Sequence, residues 1–198
     1  MRNHLCRVAV SLVLSIMAAG CASGGKEVTD KTPLQDLDAP EWVMKGSGAS
    51  GGKHSPAFYG VASAYGMRNF SLLRSTADNR ARDELAKVFQ SYTASLMRDY
   101  MASTSPEDSN AIQERHPEEQ VIETVTPLAL SGVEIVDHWQ HPKTGEFFSL
   151  ARLSLDAFKG SLDQATDLDA GVRDYFRQNA ERLHAQLEDT GTKLQGEP

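Results

Sequence analysis

The sequence predicts an α+β fold that combines a small antiparallel sheet with a long helix and an additional C-terminal helix. Three patterns predict it. Residues 57–64 are aromatic and small, as in a buried strand, and residues 69–101 repeat apolar side chains every three or four positions, as in a helix. Residues 132–155 alternate apolar and polar side chains around a turn that contains proline and glycine, which is typical of a hairpin.

The first 21 residues have the layout of a secretory signal. Arg2 and Arg7 precede an apolar run over residues 8–19, and small residues then lead to Gly20 and Cys21. The run is shorter than the roughly 20 residues that a membrane-spanning helix needs. We therefore expect cleavage between Gly20 and Cys21 and attachment of a lipid to the Cys21 thiol. The alternative is an ordinary secretory signal that ends beside a cysteine by chance.

Composition divides the chain into four segments. We expect a signal peptide over 1–20, a flexible tether over 21–38, an α+β domain over 39–165, and a C-terminal amphipathic helix with a disordered end over 166–198. The tether is small, polar and charged, and as a coil of about 17 residues it would span roughly 20–25 Å. The domain is therefore expected to stay near the membrane without lying in it.

Charge and cysteine content argue against several classes of protein. The chain carries 20 Lys and Arg against 27 Asp and Glu, a net charge of −7, and removing residues 1–20 with their two arginines leaves −9. An acidic chain is poorly suited to nucleic acid, so no nucleic-acid partner is predicted. It also gains nothing from an anionic membrane surface, so the attachment is assigned to the lipid itself. Cys6 falls in the leader, which leaves Cys21 without a disulfide partner.

The start of the domain contains an aromatic residue and a glycine-rich stretch. Trp42 follows Pro40 and is interpreted as a core or edge anchor rather than a ligand-stacking residue. Residues 45–55 resemble a phosphate-binding loop only superficially, because Lys53 is followed by His54 instead of Ser or Thr. We therefore expect a flexible loop there.

The long helix has two distinct sides. Its apolar stripe is formed by Leu73, Ala77, Ala81, Leu85, Val88, Tyr92 and Leu96. Its polar side contains Asn79, Asp83, Lys87 and Gln90. Ion pairs four residues apart are expected for Asp78–Arg82, Arg80–Glu84 and Asp83–Lys87. A helix of this length is also expected to bend or break near Met97.

Shorter elements follow the long helix. A second helix is expected to begin at Ser105-Pro106 and to break at His116-Pro117, and Pro127 should limit a third. In the hairpin, alternation places four residues on one side of the first strand, namely Val133, Ile135, Asp137 and Trp139. Asp156 is expected to cap a short helix that ends near residue 164.

The C-terminal segment carries an apolar stripe of its own. Asp167 or Asp169 is expected to cap this helix, and Gly191 is expected to end it. The stripe consists of Leu168, Val172, Tyr175, Phe176, Leu183 and Leu187. It packs either on this domain or on a partner, and we favour its own domain because most helical stripes lie in a core.

Several of these features together resemble the Lpp-twenty-type bacterial lipoproteins, over about residues 39–160 of the domain. The N-terminal pattern resembles a lipobox that ends in Cys21, with Ala18 in place of the more usual Leu. The other matching features are the Pro40-Glu41-Trp42 entry, the strand at 59–64, the alanine-rich helix, and the Trp139 strand followed by residues 147–153. The resemblance implies a compact α+β domain in which the long helix covers the small sheet.

The resemblance also implies a location and a kind of role. Related domains occur in surface-exposed or envelope lipoproteins and in an accessory protein of the flagellar basal-body ring. The family has no known enzymatic activity, so no catalytic residues are carried over. Ala22 stands where an aspartate would favour the inner membrane, which implies the outer membrane, on its periplasmic face by default. A membrane held through the lipid and an envelope protein are the expected partners.

Metal and catalytic chemistry have little support in the sequence. His138 and His141 are the best metal candidates, with Glu146 across the hairpin, but residues three apart on a strand point to opposite faces. We interpret them as surface histidines and expect no metal, cofactor or catalytic residue. Two hypotheses remain, a non-catalytic envelope module that binds a partner or supports an assembly, and a small-ligand binder or enzyme with a pocket between helix and sheet.

Overall fold

The sheet has four antiparallel strands in the computed structural model, which describes residues 34–50, 56–115 and 118–195. Their spatial order is β1-β2-β4-β3. The strands are β1 (Gly48–Ser50), β2 (Ala57–Ala64), β3 (Glu134–Gln140) and β4 (Phe147–Ser154). The predicted strand over 57–64 and the predicted hairpin are therefore confirmed, and β2 runs along the full length of β4, from Ala57 opposite Ser154 to Ala64 opposite Phe147.

Six α-helices accompany the sheet in the described part of the chain. They are α1 (Glu41–Lys45), α2 (Phe70–Ser103), α3 (Pro106–Arg115), α4 (Glu118–Leu130), α5 (Leu155–Ser161) and α6 (Ala170–Gln195), with short 3-10 turns at Leu34–Leu37 and Leu162–Gln164. The predicted α+β class, with its long helix and its C-terminal helix, is confirmed. None of these helices combines the length and the apolar character that crossing a bilayer requires.

Helix α2 lies across one face of the sheet, called here the inner face. It begins at Asn69, whose side chain accepts the Leu72 backbone N–H at 3.1 Å. The predicted stripe is buried apart from Val88, which is half-buried. Its neighbour Phe89, which was not predicted to belong to the stripe, is fully buried. The expected interruption near Met97 is absent, since α2 continues to Ser103 with Leu96 and Met97 buried against the helices beyond the sheet.

The polar side of α2 makes different contacts from those predicted. Arg82 donates to the Val133 carbonyl at 3.0 Å and Arg80 donates to the Ser63 carbonyl at 2.9 Å. Lys87 bonds Glu84 at 2.7 Å rather than Asp83. Two arginines assigned to surface ion pairs thus tie the helix to the sheet, because strand-end carbonyls within reach need a donor.

The core lies between α2, the inner face of the sheet and α6. Phe58, Phe89, Tyr92 and Phe158 form a cluster of rings whose centroids lie 4.6 to 6.0 Å apart. The Tyr92 hydroxyl donates to the Ala180 carbonyl of α6 at 2.7 Å, and burial raises the pKa of Tyr92 above its usual range.

The apolar stripe of α6 belongs to this same core. Leu168, Val172, Phe176, Ala180 and Leu183 are buried, and Tyr175 and Leu187 pack beside them. The preferred interpretation, that the stripe packs on its own domain, is confirmed. Asp169 caps the helix by accepting the Gly171 N–H at 2.8 Å, but α6 continues past the predicted end at Gly191 to Gln195.

Four local expectations are wrong, and each has a packing or hydrogen-bonding reason. The predicted loop over 45–55 contains β1, which pairs with the edge of β2, while residues 51–55 lie outside the described residues. The tether expected to end at residue 38 includes the turn Leu34–Leu37, and its residues 21–33 lie outside the described residues.

Pro127 lies inside α4, held there because the flanking Val125 and Ala129 are buried. Ser154, not Asp156, caps α5 by accepting the Ala157 N–H at 3.1 Å.

A β-bulge changes the faces of β3. Ile135 pairs with Ala151 and Asp137 with Leu150, which leaves Val136 without a partner and exposed. The residues after the bulge therefore exchange sides. His138 faces α2, and Trp139 lies beside Phe148 on the outer face of the sheet, contrary to the predicted alternation.

Candidate functional site

An open cleft lies at one end of the sheet. Here β2 leads into α2, and β3 turns into β4. Residues 65–74 and 140–147 are called the hairpin end. The cleft, of about 360 Å³, separates the two parts. It is lined by Gly66, Met67, Arg68, Phe70 and Leu73 on one side and by Gln140, Thr144 and Gly145 on the other.

Apolar side chains are exposed around this cleft. Among the described residues five large apolar side chains are exposed, and three of them belong to the hairpin end. Tyr65 is 72% exposed, Phe70 is 54% exposed and Leu72 is 55% exposed. The other two, Met44 and Val136, lie on α1 and on the bulge of β3. Such a concentration on one part of a surface is typical of an interaction site.

The exposed side chains stand on a small core of their own. Ala64, Leu73, Ala77 and Phe147 form a buried cluster separate from the main core, with Met67 packed against it. The Phe70 ring packs edge-on against Phe147, with centroids 5.5 Å apart. The first turn of α2 is thus held in place, although its outer side chains are exposed.

The turn of the hairpin is fixed by hydrogen bonds. His141 is buried, and its Nδ1 accepts the backbone N–H groups of Lys143 at 3.2 Å and Thr144 at 3.1 Å. Glu146 accepts a bond of 2.5 Å from the Ser63 hydroxyl of β2. The prediction of exposed histidines is wrong for His141, because the unprotonated Nδ1 is needed as an acceptor inside the turn.

A partly buried polar group connects α2 to β3 and β4. Oδ1 of Asp78 accepts hydrogen bonds from Ser149 Oγ and from His138 Nε2, both at 2.7 Å. In a catalytic triad the imidazole stands between the hydroxyl and the carboxylate. Here the carboxylate stands between them and Ser149 is fully buried, so His138 is not placed to take the Ser149 proton. The arrangement suits fixing α2 on the sheet.

A second polar cluster joins α2 to α6 at the opposite end of the helix. Asp99 accepts a hydrogen bond from the Tyr175 hydroxyl at 2.7 Å and another from the Arg182 guanidinium. These bonds lower the pKa of Asp99 below its usual range, the bond from Tyr175 being the larger cause. Burial and the bond to Asp99 raise the pKa of Tyr175. The cluster acts as a connection between helices.

Charge is distributed unevenly along α2. Residues 65–77 contain Arg68 and Arg74 and no acidic residue. Residues 106–123, which follow the far end of α2, contain six acidic residues and one arginine. The part of α2 between these regions, residues 78–103, is about 40 Å long. The hairpin end is therefore basic on a chain that is acidic as a whole.

The residues singled out from the sequence are not brought together. Cys21, Gly20, His54 and His116 lie outside the described residues. His138 and His141 are engaged separately, as described above. Within the described part of the chain, no three or more His, Cys, Asp or Glu side chains are grouped so that they could hold a metal ion.

The residues of the hairpin end were not recognised in the sequence as a site. Phe70 and Leu72 fall in the first turn of α2, where the apolar stripe only begins, and Tyr65 lies in the connection. Phe70 precedes Leu73 by three residues and so fits the helical period of Leu73, Ala77 and Ala81, which means that its spacing does not distinguish it from a core residue. Of the three, Leu72 is the one helical residue that departs from this period.

Comparison with known proteins gives no relative from which a role could be transferred. No protein-family model matches the chain, and a search of curated proteins gives no significant match.

Proposed function

We propose that this protein is a lipid-anchored lipoprotein of the cell envelope with a non-catalytic binding or structural role, attached through Cys21 to the outer membrane on its periplasmic face. The support for the anchor is the order of basic, apolar and small residues that ends at Gly20 and Cys21. The resemblance to Lpp-twenty-type lipoproteins suggests support of an envelope or flagellar assembly.

The observation that carries the binding role is the exposed apolar surface of the hairpin end. Tyr65, Phe70 and Leu72 leave apolar area in water at one end of the domain, and they are three of the five large apolar side chains exposed among the described residues. The polar groups nearby are already engaged, Asp78 with His138 and Glu146 with Ser63. This favours a contact surface over a site where ionisable groups converge on a substrate.

The anchor is tested by metabolic labelling with a fatty-acid probe. The wild-type protein should be labelled and Cys21→Ser should not, because the thiol is the proposed attachment point. Equal labelling of the two proteins would show that the lipid is absent or is carried elsewhere.

The binding surface is tested by photo-crosslinking in intact cells. A photoreactive amino acid at position 70 should give crosslinked products with envelope components, and the same residue at position 83 should not. Asp83 is a matched control because it lies on α2 and is exposed, but it is about 20 Å from Phe70. Equal crosslinking at the two positions, or none at either, would reject the hairpin end as the binding surface.

A further inference from the structure

We propose that the hairpin end docks on an anionic phospholipid bilayer, with Tyr65, Phe70 and Leu72 entering the interfacial layer and Arg68 and Arg74 contacting lipid phosphates. The inference rests on the proposed function, because it takes the anchored state as given and names what the hairpin end binds. Interleaved aromatic and basic side chains are the chemistry that interfacial attachment uses.

The geometry of the exposed side chains favours a bilayer over a protein partner. Phe70 and Leu72 are two residues apart on α2, so they project about 200° apart around the helix axis. Leu73, between those directions, is buried, and Tyr65 extends from the connection before the helix. The exposed apolar groups therefore surround the N-terminal end of α2. A partner with a flat face would cover one side of this end, whereas an interfacial layer covers all of it.

Charge complementarity selects the anionic lipid. Arg68 is exposed. The Arg74 side chain is 56% exposed and forms a long ion pair with Asp78, with Nε 3.8 Å from the carboxylate. The carboxylate of Glu146 at the same end is bonded to Ser63. The acidic region over residues 106–123 follows the far end of α2, and its Glu118 contacts Arg98, about 35 Å along the helix from Arg74. An anionic surface therefore attracts the hairpin end and repels the far end. The uneven charge thus orients the domain as well as attracting it.

The covalent anchor permits this orientation. Trp42 of α1 donates to the Asp137 carboxylate at 2.8 Å, and three residues of β3 lead from Asp137 to the hairpin end, a distance of about 10 Å. The 13 residues from Cys21 to Leu34, where the described chain begins, can span at most about 45 Å. The lipid at Cys21 and the hairpin end can therefore contact the same bilayer.

The experiment uses the full lipidated protein reconstituted into vesicles, with an environment-sensitive fluorophore on a single introduced cysteine. Cys21 carries the proposed lipid and Cys6 lies in the leader, so an introduced thiol is the one available for labelling. Labels are placed through Phe70→Cys and Tyr65→Cys, the latter because Tyr65 is 72% exposed and its replacement disturbs no core. Asp83→Cys is the control on the same helix.

On vesicles that contain phosphatidylglycerol, the labels at 65 and 70 should become brighter, shift to the blue and be quenched by spin-labelled lipid. The label at 83 should do none of these. On pure phosphatidylcholine the changes should be much smaller, and salt should reverse them. Arg68→Glu should weaken docking roughly tenfold, because it removes an attractive charge and adds a repulsive one near the surface. Lys87→Glu, the matched reversal on the side of α2, should leave docking unchanged.

Labels at 65 and 70 that stay in water on anionic vesicles, while the protein floats with the lipid, would overturn the docking and leave the surface to a protein partner. Equal changes at 65, 70 and 83, or an unchanged response in Arg68→Glu, would also overturn it. The fatty acid is measured on the same preparation. If the fatty acid is absent, the proposed anchor alone is rejected. Docking of the hairpin end is then measured by co-sedimentation of the unlipidated chain with anionic vesicles.

Discussion

At the scale of single residues, Gly60 determines how closely α2 approaches the sheet. A Cβ built on Gly60 would lie 2.1 Å from the Ala81 carbonyl oxygen and 2.4 Å from the Leu85 backbone nitrogen. These are backbone atoms in a buried helix, so they cannot move aside without shifting α2. Ala77 and Ala81 on the facing stripe of α2 also allow this close approach, because their small side chains keep the helix backbone near the strand.

Gly60→Ala should therefore destabilise the domain by about 1–3 kcal/mol or more, as overpacking in a core does. Gly160→Ala is the matched control, because a Cβ there meets no atom within 4 Å. It lies in α5 and should be neutral or stabilising by up to about 1 kcal/mol. Urea unfolding of the two variants measures both changes. The same change in the free energy of unfolding for both variants would mean that α2 does not pack closely against β2 at Gly60.

His141 is a second residue whose role is structural. Its Nδ1 accepts two backbone N–H groups of the turn and its side chain is buried. His141→Ala leaves those donors without their acceptor and should cost about 1–3 kcal/mol. His141→Asn, which restores an acceptor oxygen on a short side chain, should recover part of the loss. Thermal melts that are identical for wild type and His141→Ala would contradict this assignment.

Among the elements, the connection between α2 and α6 predicts a pH dependence. The folded-state pKa of Asp99 is below its usual 3.8, first because Tyr175 donates to it and then because Arg182 does. A depressed pKa contributes stability that is present above the unfolded pKa and is lost as the pH falls through the folded one. Wild type should thus exceed Asp99→Asn in stability at neutral pH.

That difference should stay constant above about pH 5 and shrink on further acidification. Chemical unfolding of the two proteins at several pH values between neutral and strongly acidic provides the measurement. Both side chains are partly exposed, so the difference is small and salt-sensitive. A gap that widens on acidification would show that Asp99 is stabilised in its protonated form instead.

The C-terminal helix α6 is an integral element of the core. Phe176 is fully buried in the main cluster, so Phe176→Ala should lower the free energy of unfolding by about 3–5 kcal/mol. Gln178→Ala, two residues away on the exposed side, should change it by less than about 0.5 kcal/mol. Deleting residues 167–198 should lower the thermal midpoint further and expose surface that binds hydrophobic dyes. An unchanged midpoint after the deletion would assign the helix to a partner.

The elements also show which parts of this fold can be predicted from its sequence. Long periodic runs were sufficient for α2 and α6, because burial of one face imposes the period. The aromatic and small residues of 57–64 were sufficient for β2. Local signals failed where a distant partner decides the structure. β1 is formed because β2 offers it an edge, and the bulge at Val136 exchanges the faces of His138 and Trp139 without a mark in the sequence. The hairpin end was missed for the same reason, since exposure of Phe70 depends on where the sheet ends.

At the scale of the whole molecule, the proposed membrane attachment and the stabilising core lie in separate parts of the chain. The main core is formed by residues between Phe58 and Leu183, whereas the proposed attachment is at Cys21. Leu85 is fully buried in that core. Cys21→Ser should move the protein from the membrane fraction to the soluble fraction and leave its thermal midpoint unchanged. Leu85→Ala should do the reverse, remaining at the membrane while losing about 2–5 kcal/mol of stability.

Fractionation of cell envelopes after a high-salt wash measures the first property, and thermal melts of the purified proteins measure the second. The salt wash matters because it screens the contact proposed between the hairpin end and anionic lipid, which leaves the covalent lipid as the remaining attachment. Cys21→Ser that stays with the membrane after this wash would require an attachment other than the lipid. A lowered midpoint in Cys21→Ser would mean that the N-terminal region contributes to the folded domain.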